Sequence, residues 1–149
     1  MLLDLLNTKT LQVADGLGLS WEAAIKLAAR PLVNSKTIEP AYVESIIDVV
    51  KDKGTYMNIG PLIVLAHARP SSAVHGIGLS LLKTNSPVNF VDAEHPVKLW
   101  FVLTATDSHS HLGVIQQLME LLTNKEAVKE VLEARTVHQI LMILKSIES

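Results

Sequence analysis

Two stretches of this chain, PLIVLA at 61–66 and VKLWFVLTA at 97–105, are apolar at odd and even positions alike. Successive side chains of a strand point to opposite faces, so strands of this kind need apolar cover on both sides. That requirement points to an α/β or α+β chain in which a sheet carries helices on both faces. The composition agrees. Aromatic residues make up only 4% of the chain while hydrophobic residues reach 48%, so the core is aliphatic. With 149 residues, one domain over 1–149 buries such a core without a linker or a second unit.

The helices are legible from spacing. After a leucine-rich start, TLQVAD (10–15) alternates and predicts a strand, broken by GLG. From Ser20, a suitable N-cap, the residues Trp21, Ala24, Ile25, Ala28 and Leu32 share one helical face, and Pro31 is expected to kink or end the last turn. A second helix is expected with Pro40 near its first turn, Val43, Ile46, Ile47 and Val50 on one face, and Gly54 past its end. IGLSLLK (77–83) predicts another strand and PVNF a brief edge or loop. HLGVIQQLMELL, NKEAVKEVLEA and TVHQILMILKSI predict helices, the last capped by Thr136.

Several function classes are disfavoured at once. The formal charge of −2 comes from intermixed acids and bases with no Lys/Arg block, so nucleic acid is not an expected partner. The absence of cysteine removes disulfides, thiolate nucleophiles and cysteine-held metal centres, and fits an intracellular protein. The start, MLLDLLN, has an acid at position 4 and no basic segment, and no apolar run approaches a bilayer span. A soluble, cytoplasmic protein is expected.

In sheets covered by helices, ligands gather where loops leave the carboxyl ends of strands. Two segments meet that description: HARPSSAVHG after the 61–66 strand and TDSHSH after the 97–105 strand. Three chemistries suit them. His67, His109, His111 and Asp107 offer nitrogen and oxygen ligands to a metal, although His109 and His111 lie about 200° apart on a helix and opposite in a strand. Ser71, Ser72, Ser108 or Ser110 could serve a histidine base, but no G-x-S-x-G elbow is present. Third, His67 itself can act as a nucleophile that accepts a phosphoryl group, with Arg69 or backbone N–H groups holding the oxygens and a second histidine donating to them. Since there is no G-x-x-x-x-G-K-[ST] loop, such a chain would take its phosphate from another protein. His75, His95 and His138 are read as structural.

GPLIVLAHARP (60–70), with Gly60 before the strand and His67 at its end, resembles the motif of the IIA components of the bacterial phosphoenolpyruvate-dependent sugar phosphotransferase system, mannitol/fructose type. HLGVIQQL, with His111 at the start of a helix, is similar to that family's later motif, and WEAAIKLAARPLV, Tyr42 and GTYMNIG match its upstream order. The resemblance spans nearly the whole chain, and HARP looks like the ascorbate branch. It implies the IIA fold, a single α/β domain with a mixed sheet sandwiched between helices on both faces, and a phosphotransferase working through a phosphohistidine. His67 would accept from phospho-HPr and pass the group to a IIB component, which serves a membrane IIC transporter of ascorbate or a related substrate. His111 would adjoin the active site. No cofactor and no metal are implied. The chain departs from the pattern at Ala66, where many relatives have proline, and near Asp48 and Val49, where the arginine often found before the TY has no counterpart. Arg69 is expected to supply that charge. The alternatives are a regulatory IIA-like module, in which phosphorylated His67 signals rather than feeds a transporter, and more distantly a His-ligated metal hydrolase.

Overall fold

A computed structural model describes residues 2–148. The elements in chain order are α1 (Leu2–Leu5), β1 (Leu11–Ala14), α2 (Trp21–Asn34), α3 (Pro40–Lys53), β2 (Asn58–Gly60), β3 (Leu62–Ala66), β4 (Gly78–Asn89), β5 (Pro96–Thr104), α4 (Leu112–Thr123), α5 (Lys125–Glu133) and α6 (Val137–Glu148). The strands form one five-stranded mixed sheet in the order β1-β4-β5-β3-β2. β3 runs parallel to β5, and β1 parallel to β4, while β4 is antiparallel to β5 and β2 antiparallel to β3.

The double-parity strands do what their pattern demands. Val64, Ala66, Trp100 and Val102 pack into one buried cluster with the apolar faces of α2 and α3. Their sequence neighbours Ile63, Leu65, Leu99, Phe101 and Leu103 enter a second cluster beneath α1, α4, α5 and α6. Each face of the sheet therefore has its own core, and β5, central in the sheet, is fully committed to both.

The caps follow the sequence. The Ser20 hydroxyl accepts from the Ala23 N–H at 3.1 Å, Pro40 opens α3, Gly54 ends it at φ 77°, and the Thr136 hydroxyl accepts from the Gln139 N–H at 3.1 Å. Pro31 does not end its helix, which runs on to Asn34. A proline there withholds the N–H that would bond the Leu27 carbonyl. That carbonyl accepts instead from the Gln12 side-chain amide on β1, at 2.7 Å.

The segment PVNF is no separate edge or loop. β4 continues through it to Asn89, with a break in register between Lys83 and Val88 that absorbs Pro87, a residue with no N–H for a ladder. β2, which the pattern did not announce, is three residues long and held to β3 by the Asn58 side chain, which donates to the Gly60 carbonyl at 2.9 Å and the Ile63 carbonyl at 2.7 Å.

Because β3 and β5 are parallel, the two loops that leave their carboxyl ends emerge on the same edge of the sheet. His67 and the 106–111 segment therefore lie at the same end of the sheet, a placement that depends on the two strands being neighbours.

Candidate active site

β3 closes with the buried Ala66, and His67 follows half-buried at the sheet edge. Its Nδ1 lies 2.8 Å from the Leu65 carbonyl oxygen. A carbonyl only accepts, so Nδ1 carries the proton and Nε2 keeps its lone pair. The Tyr56 ring meets the imidazole edge-on, with centroids 5.9 Å apart and an interplanar angle of 75°. This contact helps to orient the ring.

His67 lines a cavity of about 760 Å3. The same cavity is bordered by Arg69 and Pro70 from its own loop, by His111 and Ser108 from the loop after β5, and by Tyr42, Lys53 and Tyr56 from α3 and the turn after it. Among the described residues no aspartate or glutamate lines it, although the chain as a whole is acidic. With two cationic side chains and no carboxylate, the hollow favours an anion. Arg69 is exposed and makes no hydrogen bond or ion pair among the described residues, so its guanidinium is available, and the following Pro70 biases its backbone towards extended conformations.

The loop after β5 is built by Asp107. Its carboxylate accepts from the N–H groups of His109 at 2.8 Å and Ser110 at 2.6 Å, and these bonds hold its carboxyl below the usual range. The turn delivers His111 as the N-cap residue of α4, so that helix starts at the cavity and its N-terminal dipole also favours an anion there. The Nδ1 of His111 is buried without a partner. A proton placed on Nε2 avoids burying an unpaired N–H and leaves Nε2–H as the ring's donor.

Thus His67, Arg69 and His111 come together as the sequence anticipates. His109 does not line the cavity. Among the described residues no group of three His, Cys, Asp or Glu stands close enough to hold a metal, and Asp107 is occupied as a backbone cap. Nor does any serine hydroxyl bond a histidine ring among them, which leaves the serine-hydrolase reading without its base. His75 and His95 are paired elsewhere, with Glu39 at 2.7 Å and with Asp92 at 2.6 Å. Two contributions are not anticipated from the sequence, that of Lys53 and the contact made by Tyr42, which enters there only as a match to the family's order. Lys53, in the last turn of α3, passes for an ordinary helix-end charge. Tyr42 is fully buried, and its hydroxyl accepts from the Ala68 N–H at 3.0 Å while lying 2.9 Å from the Leu103 carbonyl.

Fold and site together define a carrier of an anionic group, in which two imidazoles face a cationic hollow at one edge of a covered sheet. The family described as phosphoenolpyruvate-dependent sugar phosphotransferase system, EIIA 2, matches residues 5–147, and the chain belongs to it. It is accordingly a phosphotransferase that relays a phosphoryl group through a histidine. Among its relatives, the mannitol-specific cryptic phosphotransferase enzyme IIA component of Escherichia coli K12 is 32% identical over 124 residues, covering 83% of this chain and 84% of the relative. The ascorbate-specific EIIA component of the same organism is 30% identical over 127 residues, covering 84% and 82%. The solution structure of the Escherichia coli mannitol-specific cryptic IIA superposes with a TM-score of 0.88 at 29% identity, over 97% of this chain and 98% of that one. No helix among the described residues is long and apolar enough to cross a membrane.

Proposed function

We propose that His67 is the phosphoryl acceptor, through Nε2, and that Arg69 and His111 hold the group in transit. The observation that carries this reading is the free Nε2 of His67 in a cavity bordered by Arg69 and His111 and by no carboxylate. The lone pair of Nε2 attacks the phosphorus of a phosphohistidine on the donor. The new N–P bond forms as the donor's N–P bond breaks, and the donor leaves with its nitrogen lone pair restored. Negative charge spreads over the three equatorial oxygens during the transfer. The Arg69 guanidinium and the Nε2–H of His111 are the groups suited to meet it. The Leu65 carbonyl, accepting from Nδ1–H, favours the positive charge that the ring acquires. Because the bond made resembles the bond broken, the step is close to thermoneutral and reversible.

In this reading the whole chain, 1–149, is one cytoplasmic IIA domain. It takes phosphate from phospho-HPr and hands it to a IIB component that serves a membrane IIC transporter. Ascorbate, or a closely related substrate, is the transported sugar. The HARP sequence and the 30% identical ascorbate-specific relative both support that branch. The test is to incubate the chain with phosphoenolpyruvate, enzyme I and HPr, then map the phosphate by mass spectrometry under basic conditions. One acid-labile phosphoryl group on His67 is expected, passing on to the ascorbate IIB in preference to the mannitol one. Phosphate on another residue, or none, overturns the assignment.

A further inference from the structure

The pairing of β3 with β5 ends where Ala66 faces Val102. Beyond it the two chains part and open the cavity, and the backbone ladder has no further rung. A hydroxyl stands in the gap. Tyr42 reaches from the first turn of α3, with its side chain fully buried, and its Oη accepts from the Ala68 N–H at 3.0 Å. The hydroxyl has one proton to give. The Leu103 carbonyl at 2.9 Å is a closer acceptor than the Ala68 carbonyl at 3.2 Å. Ala68 follows His67 directly, and Leu103 lies on the strand whose continuation carries Asp107 and His111.

We propose that Tyr42 is a positioning residue of the phosphoryl site: its hydroxyl is a side-chain rung that ties the exit of β3 to the end of β5 and so fixes the spacing between His67 and His111. The inference rests on the reading that His67 accepts the phosphoryl group.

Three physical points favour it. Parallel strands that splay would otherwise leave a partly buried N–H and a buried carbonyl unpaired at the floor of the site, and the hydroxyl satisfies both at once. Burial raises the Tyr42 pKa above its ordinary value, so the hydroxyl remains a donor throughout the physiological range. The anchor itself is rigid, because α3 is fixed to the core by Val43, Ile46, Ile47 and Val50. A water in the same place would satisfy the two backbone groups without holding them at a set distance. The ring carries that distance back to the helix.

The rung predicts that Tyr42→Phe, which keeps the ring and removes only the bridging oxygen, leaves KM for phospho-HPr near the wild-type value. The kcat for phosphoryl uptake should fall by roughly ten- to a hundred-fold, the scale on which misplaced reacting groups slow a transfer. Ile46→Val, a loss of core packing on the same helix, serves as the control. The measurement is single-turnover uptake from phospho-HPr, with melting curves for all three proteins. A Tyr42→Phe chain that transfers at the wild-type rate overturns the proposal, as does an equal fall in kcat for Ile46→Val. Amide exchange in the unmodified chain gives a second readout that needs no variant. The Ala68 N–H should exchange as slowly as the amides of the β3–β5 ladder, and exchange as fast as the exposed Thr106 amide overturns the rung even if Tyr42→Phe folds badly. Wild-type protein that takes up phosphate elsewhere than His67 is a different failure: it removes the acceptor reading first, and the rung's purpose with it.

Discussion

The Nδ1 of His67 lies 2.8 Å from the carbonyl oxygen of Leu65, two residues back on the same strand. In the proposed reading, this short bond leaves Nε2 as the nitrogen that reacts. A phosphoryl group delivered to the ring is expected on Nε2, which nitrogen NMR of the phosphorylated chain distinguishes directly. The adduct should be labile in acid and stable in base. His67→Gln should take up no phosphate and still melt near the wild type, because a half-buried strand-end side chain contributes little to either core. An adduct on Nδ1 would mean that the Leu65 bond breaks before transfer.

His109 and His111 are expected to differ in rate. His111 borders the cavity and His109 does not, so His111→Ala should slow transfer by about 100-fold, the scale for losing one oriented donor. His109→Ala should change it far less. Stopped transfer assays on the two variants compare them side by side, and equal effects would argue against the role given to His111.

Arg69 is expected to act on equilibrium as well as rate. Its charge stabilises the phosphorylated ring together with the transition state, so Arg69→Ala should move phosphate back towards the donor by about 1.5 to 3 kcal/mol. Arg69→Lys keeps the charge and loses the planar fork, and should fall between. Lys53 is exposed on its helix, so Lys53→Ala should have a smaller effect that fades as salt is raised. The distribution of phosphate between HPr and each variant at equilibrium measures all three. An unchanged ratio for Arg69→Ala, with only a slower approach to it, would place Arg69 on the docking surface.

Asp107 gives a pH dependence with a definite sign. Bonds from the His109 and Ser110 N–H groups depress its carboxyl, so the turn is favoured above the ordinary aspartate value, about 3.9, and is lost as pH falls through the lower folded value. Amide shifts of His109 and Ser110 should therefore titrate below the ordinary range. Asp107→Asn retains an acceptor and should keep most of the transfer rate, whereas Asp107→Ala should lose rate towards the His111→Ala level. A midpoint at or above the ordinary value would contradict the bonding described.

The Gln12 bond to Leu27 predicts a coupling far from the site. Gln12→Ala strands the carbonyl that Pro31 has already deprived of a helical partner, at a cost of about 1 to 2 kcal/mol in denaturant melts. In a Pro31→Ala background the helix supplies its own N–H, so the same substitution should cost much less. Additive effects would show that the two are independent.

Much of this was legible in the chain because burial writes itself as periodicity. The double parity of 61–66 and 97–105 revealed both cores, and the helix caps stood out as single residues. Pairing direction was not visible in either strand alone. That β3 and β5 are parallel neighbours, which brings His67 and His111 to one edge, is a property of the assembled sheet. β4 was read short because Pro87 is a turn signal until a break in register accommodates it. The place of Lys53 and the role of Tyr42 at the site were missed for a related reason. A lysine at a helix end and a tyrosine on a buried face each have an ordinary local explanation, and only the folded chain shows what lies across from them.

If His67 is the acceptor, as proposed, then with Nδ1 tied to Leu65 the imidazole has a single working face, and a phosphoryl group arrives and departs by the same route. Whatever delivers it and whatever removes it must occupy one position in turn, so the two can never be seated together. Each visitor blocks the next for as long as it stays. A tight grip on either partner would stall the traffic that the site exists to carry, and throughput is governed by how quickly a spent partner lets go. Weak attachment on this edge of the sheet is thus a working condition of the relay.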